Sequence, residues 1–495
     1  MTEAQLPMLL LVPLFLGAVL VPAFGLRNRA WAHPVATIFL LAYASLAVRL
    51  FLAVKSGGTL AYHVGGWAPP VGIEFRVDML SAFVALVIAL ISLLVSIYAR
   101  VAVRAEIPDQ EMPFYSVMFI MLLGLTGMVI TADLFNLYVW FEVSSLAGYA
   151  LMAAGSRKAP VSAFRYLIMG TLGASFYLMG VGYLYILTGS LNMADVSNLI
   201  ASQGQNPALL VSLVLMVAGL GLKMALFPMH LWLPDAYTYA SSTATALIAP
   251  VMTKVSAYVL LRMLFFVYDA DLVRAVLPID TAIVWLGLAG VVVGSVMAIA
   301  QNDVKRMLAY SSVAQVAYIA IGIGIGNAFA LIGAILHVLN HATMKSCLFL
   351  ATGAVQMRTG GTRMENFVSI GRTMPWTGLA FAVGGLSMIG IPPTNGFFSK
   401  WYLVLGAIDT GQWAVVALIV ASGLLTGVYF FRLLVRIYTN PREGQTVSEG
   451  TEIPLSMRLP MLILALAMVL LGIFNSWFVT EVLQYALPPG MPRPF

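Results

Sequence analysis

The chain has 495 residues, 61% of them apolar and 9% charged, with a formal charge of +6; an average soluble domain is about 25% charged. Apolar runs of about 20 residues recur from end to end, which makes this a polytopic membrane protein with little left for a soluble domain. The basic residues are scattered rather than clustered, which speaks against nucleic-acid binding. The single cysteine, Cys347, excludes an internal disulfide and a cysteine-ligated iron–sulfur cluster.

About fourteen spans are predicted in chain order: Leu6–Leu26, Trp31–Val54, Asp78–Val101, Met112–Thr131, Leu134–Ala154, Val161–Leu187, Pro207–Phe227, Ser241–Phe266, Ile279–Ala300, Val304–Ile325, Ala328–Val355, Trp376–Gly406, Trp413–Ile437 and Leu459–Tyr485. The first is not expected to be a signal peptide, because Glu3 precedes it and Arg27 and Arg29 follow it. Loops after odd-numbered spans carry Arg100, Arg104, Arg157, Lys158, Lys305, Arg306, Arg358, Arg363, Arg372, Arg436 and Arg442 besides Arg27 and Arg29. Loops after even-numbered spans carry little beyond Lys55, Arg76 and Arg274. The basic side is therefore expected to face the cytoplasm of a bacterial or archaeal cell, with both termini outside. Between spans two and three, Thr59–Val77 alternates around Gly-Gly and Pro-Pro, which predicts a β-hairpin on the outer face. The stretch Arg436–Leu455 reads as a polar cytoplasmic loop.

Span seven and its sequel hold two lysines, Lys223 and Lys254, in apolar sequence, with Pro228, Pro234, Pro250 and His230 between them. A charge at mid-bilayer depth costs at least about 2.5–3.5 kcal/mol and marks a functional site by default. Pro228 removes a helical donor and disturbs the carbonyl of Met224. A helix broken beside a buried lysine is the expectation. A second break falls at Leu386–Lys400, where Pro392 and Pro393 precede Lys400. Interrupted spans in two halves point to an inverted-repeat transporter core. The expected organisation is 1–110 (three spans and hairpin), 111–270 and 271–440 (two five-helix repeats), and 441–495 (loop and last span).

Glu142 is the one carboxylate deep in a span, and Lys223 is its natural partner; such a pair titrates as a unit. The competing readings are a neutral hydrogen-bonded acid and a static salt bridge. Lys254 lies four residues after Pro250, which frees the carbonyl of Ala246 nearby; the alternative is a lysine snorkelling to the surface. His337, His341 and Lys345 share one helical face over about 12 Å of rise, and histidine titrates near neutral pH. They read as a proton relay, against satisfied core histidines. Lys400 follows the second break. His230 is a further proton-transfer candidate, against a histidine that bonds freed backbone. Asp235, Ser145 and Thr245 are secondary candidates, against a helix cap for Asp235, and Ser144, Ser145, Thr243 and Thr245 could hold water or bond their own helix. No metal site is expected. The glycines of GIGIGNAF, Gly322–Gly326, follow no strand, so a dinucleotide loop is rejected.

The ordered set runs Glu142, Lys223, FPMHLWLPDAY from Phe227, Lys254, the His337/His341/Lys345 face and Lys400. It resembles the antiporter-like subunits shared by respiratory complex I, membrane-bound hydrogenases and Mrp-type Na+/H+ antiporters. The resemblance implies an all-α fold of about fourteen helices with two inverted five-helix repeats and two broken helices. It also implies a polar axis of Glu142, Lys223, Lys254, His337, His341, Lys345 and Lys400 that moves protons within a multisubunit Na+/H+ antiporter, with no cofactor and no catalytic chemistry of its own. Partners would be the other membrane subunits of a hetero-oligomeric complex. Within the family, YHVGGWAPPVGIEFRVD is similar to the D-type subunits of Mrp antiporters. The alternative is the homologous proton-pumping subunit of NADH:quinone oxidoreductase or of a hydrogenase.

Overall fold

The computed structural model describes residues 3–201, 203, 206–268, 278–440 and 451–495. Arg274 and Arg442, counted above for orientation, and residues 441–450 of the polar loop lie outside the described residues.

The chain opens with α1 (Val12–Arg27) and α2 (Ala32–Gly57). Strands β1 (Leu60–His63) and β2 (Glu74–Val77) follow and pair antiparallel, Leu60 opposite Val77 and His63 opposite Glu74. The predicted hairpin is thus present, and it marks one end of the bundle, called here the hairpin face. Helix α3 (Met79–Glu106) returns to the opposite, basic face. Then come α4 (Glu111–Ile130), α5 (Leu134–Ala153), α6 (Ala159–Thr188), α7 (Pro207–Met224), α8 (Trp232–Tyr239) and α9 (Ser242–Arg262). The second half has α10 (Ile279–Ile299), α11 (Val304–Ile325), α12 (Ala328–Thr359), α13 (Pro375–Ile389), α14 (Asn395–Asp409) and α15 (Trp413–Tyr438), and α16 (Leu455–Ile473) closes the bundle.

Twelve of the described helices are long and apolar enough to cross a membrane. The two remaining spans are α5, diluted by Asn136, Glu142 and two serines, and the broken pair α13–α14. Among the described residues the result is an all-α polytopic bundle of fourteen spans. Helix starts follow local sequence: Asp133 accepts from the Asn136 N–H at 2.6 Å, Asp303 from Arg306 at 2.9 Å, and Asn327 from Ala330 at 2.9 Å, each satisfying a first-turn donor.

Spans four to eight and nine to thirteen each hold one broken member, the fourth of the five. Five is odd, so the second set enters from the face opposite the first, and the two sets are inverted. Neither break is a kink within a continuous helix. Helix α7 stops at Met224, with Ala225 in the left-handed region at φ 62°, so Pro228 lies in a non-helical stretch that ends at α8. Helix α13 stops before Gly390 at φ 92°. Both stretches contain a cis X-Pro peptide, Phe227–Pro228 and Pro392–Pro393.

Packing places α9 at the centre. It is buried along its length, and α11 and α12 nearly so, whereas less than half of α1, α2, α6, α15 and α16 is covered. Helix α9 packs on α12, α3, α7 and α11, while the short α8 packs on α11 and α6. The first repeat therefore meets the second through its broken span and the helix after it.

Candidate functional site

Lys223 occupies the last turn of α7 and is 2% exposed. Its ammonium donates to Ser145 Oγ at 2.5 Å and Tyr149 Oη at 2.9 Å, both on α5. It lies over the rings of Phe141, Tyr149 and Tyr166 at 4.8, 5.0 and 5.4 Å, so aromatic faces and hydroxyls solvate it. Gly170 makes the room: a Cβ there would fall 1.9 Å from Tyr149 Oη and 3.1 Å from Lys223 Nζ.

The expected Glu142–Lys223 contact is not made. The two interact electrostatically, but Glu142 is half-buried and its Oε1 has no hydrogen-bond partner. The reason is register on α5. Ser145 and Tyr149 sit one and two turns beyond Glu142 on the same face, and they reach the ammonium first.

A second cluster lies beyond an aromatic wall. Tyr166 stacks on Trp232 at 3.9 Å, Trp232 meets Tyr237 edge-on at 6.3 Å, and Tyr237 meets Phe349 at 6.2 Å. Past it are Lys254, Lys345, His341 and His337, all buried. Electrostatic interactions join Lys254 to Lys345 and to both histidines, and His337 to Lys400. The His337 and His341 rings are parallel at 6.0 Å. His337 Nδ1 is 2.9 Å from Ser399 Oγ, while both His341 nitrogens have no partner. Lys345 donates to Leu308 O at 2.7 Å and Ser311 Oγ at 2.5 Å.

Lys254 finds its partners within its own helix. Its ammonium donates to Ala249 O at 2.5 Å and Thr253 Oγ1 at 3.0 Å. The Ala246 carbonyl released by Pro250 instead accepts from Ser346 Oγ of α12 at 3.0 Å. A hydroxyl from the neighbouring repeat, not the lysine, fills that vacancy.

At the second break, proline chemistry and the lysine coincide. Pro392 and Pro393 deprive Met388 and Ile389, four residues earlier, of their helical donors. Lys400 Nζ donates to those same two carbonyls, at 2.9 and 3.0 Å. The ammonium also lies over the Tyr318 ring at 5.1 Å, and Tyr318 abuts His337 edge-on at 5.5 Å.

Other candidates fall outside this row. His230 is buried and stacked on Phe227 at 5.5 Å, with its Nδ1 unpartnered. Asp235 pairs with Arg165 at 3.2 Å and Arg306 at 3.1 Å near the basic face, so it ties α8 to α6 and α11. Ser144 donates to Phe141 O, and Thr245 to Tyr237 O and Ser241 O; Thr243 Oγ1 has no partner. The structure adds three positions to the candidates. Lys305, counted from sequence as a loop cation, is 3% exposed inside the first turn of α11, and Glu106 of α3 interacts with it electrostatically. Gln315, buried mid-span with an unpartnered side chain, was legible as a lone polar residue in an apolar run.

Two inverted sets of spans, each broken beside a lysine, with a row of buried bases between them, define the class of antiporter-like membrane subunits. Residues 131–426 match the transmembrane family described as NADH:quinone oxidoreductase/Mrp antiporter, and the chain belongs to that family of multi-pass integral membrane proteins. It is 47% identical to the N subunit of the NADH-quinone oxidoreductase of Desulforudis audaxviator, over 99% of this chain and 100% of that one. It is 29% identical to the D subunit of the Na(+)/H(+) antiporter of Alkalihalophilus pseudofirmus, over 97% and 94%. Among solved structures, a chain of the membrane-bound sulfane sulfur reductase, an archaeal respiratory membrane complex, superposes with TM-score 0.90 at 31% identity over 97% of both chains. The likeness to the D-type Mrp subunits read from the hairpin segment stands at 29% identity. Similarity is much higher to a redox-complex subunit.

Proposed function

We propose that this chain is the proton-translocating, antiporter-like subunit of a redox-driven membrane complex of the NADH:quinone oxidoreductase kind. The observation that carries the reading is the row Lys254, Lys345, His341, His337 and Lys400. These are five bases without a carboxylate among them, each lysine resting on backbone carbonyls or hydroxyls. Five like charges in a low-dielectric interior repel strongly, so the row holds fewer protons than sites, and a proton entering at one end displaces one at the other. The two unpartnered nitrogens of His341 suit the passage, because buried polar groups are normally completed by protein or by water. Glu142 and Lys223 sit across the aromatic wall and bias the row electrostatically. The basic face is oriented to the cytoplasm, and both termini then lie outside. The partners are the other membrane subunits and the redox arm of the complex.

The test is Lys223→Ala in the native complex, assayed in inverted vesicles for redox-driven proton uptake. Uptake should be lost while the complex assembles; undiminished uptake removes Lys223 from the mechanism. The relative at 29% supports a second reading, a Mrp-type cation/proton antiporter subunit. Mass spectrometry of the complex purified from its own membrane separates the two: iron–sulfur partners favour the first, and small membrane subunits with a larger homologue the second.

A further inference from the structure

The joint between α8 and α9 is two residues long, Ala240 and Ser241, and its backbone groups are satisfied from three other parts of the chain. Tyr239 O accepts from the Ser156 N–H at 3.0 Å, and the Ser241 N–H donates to Ala154 O at 2.9 Å. Ala240 O accepts from the ammonium of Lys305, on α11. The Ser242 N–H, an orphan donor at the start of α9, donates to Glu106 Oε2 of α3 at 2.6 Å. Gly155 permits this approach, since a Cβ there would lie 2.5 Å from Tyr239 O.

The two halves of this joint carry unlike cargo. Upstream, α8 holds Trp232 and Tyr237 of the aromatic wall. Downstream, α9 holds Lys254. Helix α3 grips α9 at both ends: Glu106 at its N-terminus, and Asp78 at its C-terminus through two 2.8 Å bonds to Arg262. The inner grip lines a cleft of about 400 Å³ at the basic face, with Ser156, Tyr239, Gln356 and Gly360.

We propose that Glu106 and Lys305 are positioning residues that latch the α8–α9 joint, one gripping its amide and the other its carbonyl, and so fix the spacing of Lys254 from the aromatic wall and Lys223. The inference rests on the proton-translocation reading and adds two residues to it. Their opposite charges also attract across the joint, yet the latch is polar in a directional sense. A carbonyl needs a donor and an amide needs an acceptor, so exchanging the two side chains keeps the attraction and destroys both grips.

The experiment compares Glu106→Ala, Glu106→Gln, Lys305→Ala, Lys305→Arg and the double exchange Glu106→Lys/Lys305→Glu. Each is made in the whole complex in native membranes and read by redox-driven proton uptake, with assembly followed on native gels. Both alanine variants should lower uptake roughly tenfold or more, the factor expected from losing a hydrogen bond to a charged group. Glu106→Gln and Lys305→Arg keep an acceptor and a donor and should stay within a few-fold of wild type. The double exchange should remain as poor as the alanines. Wild-type uptake in both alanine variants, or recovery in the exchange, overturns the latch. Where an alanine variant fails to assemble, the Gln and Arg variants decide: near-normal uptake supports the latch, and loss with assembly intact overturns it. Lys223→Ala is run alongside. Intact uptake there removes the reading beneath the latch, whereas loss there with intact uptake in both alanine variants removes the latch alone.

Discussion

The two broken spans solve one problem in opposite ways. Each must satisfy carbonyls that prolines and turns have stripped of helical donors. At the first break those carbonyls go to groups that do not titrate: Leu222 O accepts from Trp232 Nε1 at 3.0 Å, and Gly221 O from the Leu226 N–H at 2.8 Å. Lys223, on the near side of the gap, is left to side-chain hydroxyls. At the second break the donor is the lysine itself, reaching back from the far side of the gap to Met388 and Ile389. The first lysine therefore lies beside a break that stands without it. The second is part of the masonry.

The largest contrast follows directly. Lys400→Met strands two buried carbonyls at about 1–3 kcal/mol each, so the protein should lose both proton uptake and several degrees of thermal stability. Lys223→Met leaves hydroxyls that can re-pair, because Ser145 Oγ already donates to Phe141 O; it should lose uptake with a much smaller thermal shift. Unfolding of the two purified variant complexes, monitored side by side, checks this. Equal shifts would erase the distinction between the breaks.

Glycine contacts sharpen it at intermediate size. A Cβ at Gly472 of α16 would fall 1.8 Å from the Pro393 carbonyl oxygen, and backbone cannot swing aside. Gly472→Ala should thus cost about 1–3 kcal/mol, as overpacking does, and uptake should fall with stability. Gly170→Ala meets a side chain, Tyr149 Oη at 1.9 Å, which can rotate away but then abandons Lys223. Its signature should be reduced uptake with stability nearly retained. A Gly170→Ala variant that is unstable yet fully active would contradict the role given to Tyr149.

The sequence made much of this legible because a membrane simplifies the grammar. Apolar length gives the spans, proline gives the breaks, and every lysine, glutamate or histidine inside a span stands out against lipid-compatible neighbours. It could not say who answers each orphaned group. Pro250 announces a free carbonyl at Ala246, but its taker, Ser346, is 100 residues away and unremarkable in a serine-containing helix. Glu142 and Lys223 are natural partners by charge, and two hydroxyls further along α5 intervene. Glu106 and Lys305 look like ordinary span-end charges. They are drawn inward only because the α8–α9 joint, a feature of tertiary packing, needs a donor and an acceptor at that point.

The smallest effect probes the non-titrating side of the comparison. Trp232→Phe removes the indole N–H from Leu222 O while keeping an aromatic ring to stack on Tyr166. The loss of one neutral hydrogen bond should cost about 1 kcal/mol. Because no proton-bearing group holds that carbonyl, uptake should stay near wild type. The measurement is uptake rate beside thermal midpoint. A small stability loss with unchanged uptake keeps the first break a passive frame for Lys223. A collapse of uptake at that same small stability cost would mean that the indole N–H itself governs passage between Lys223 and Lys254, and the first break would then be as active a participant as the second.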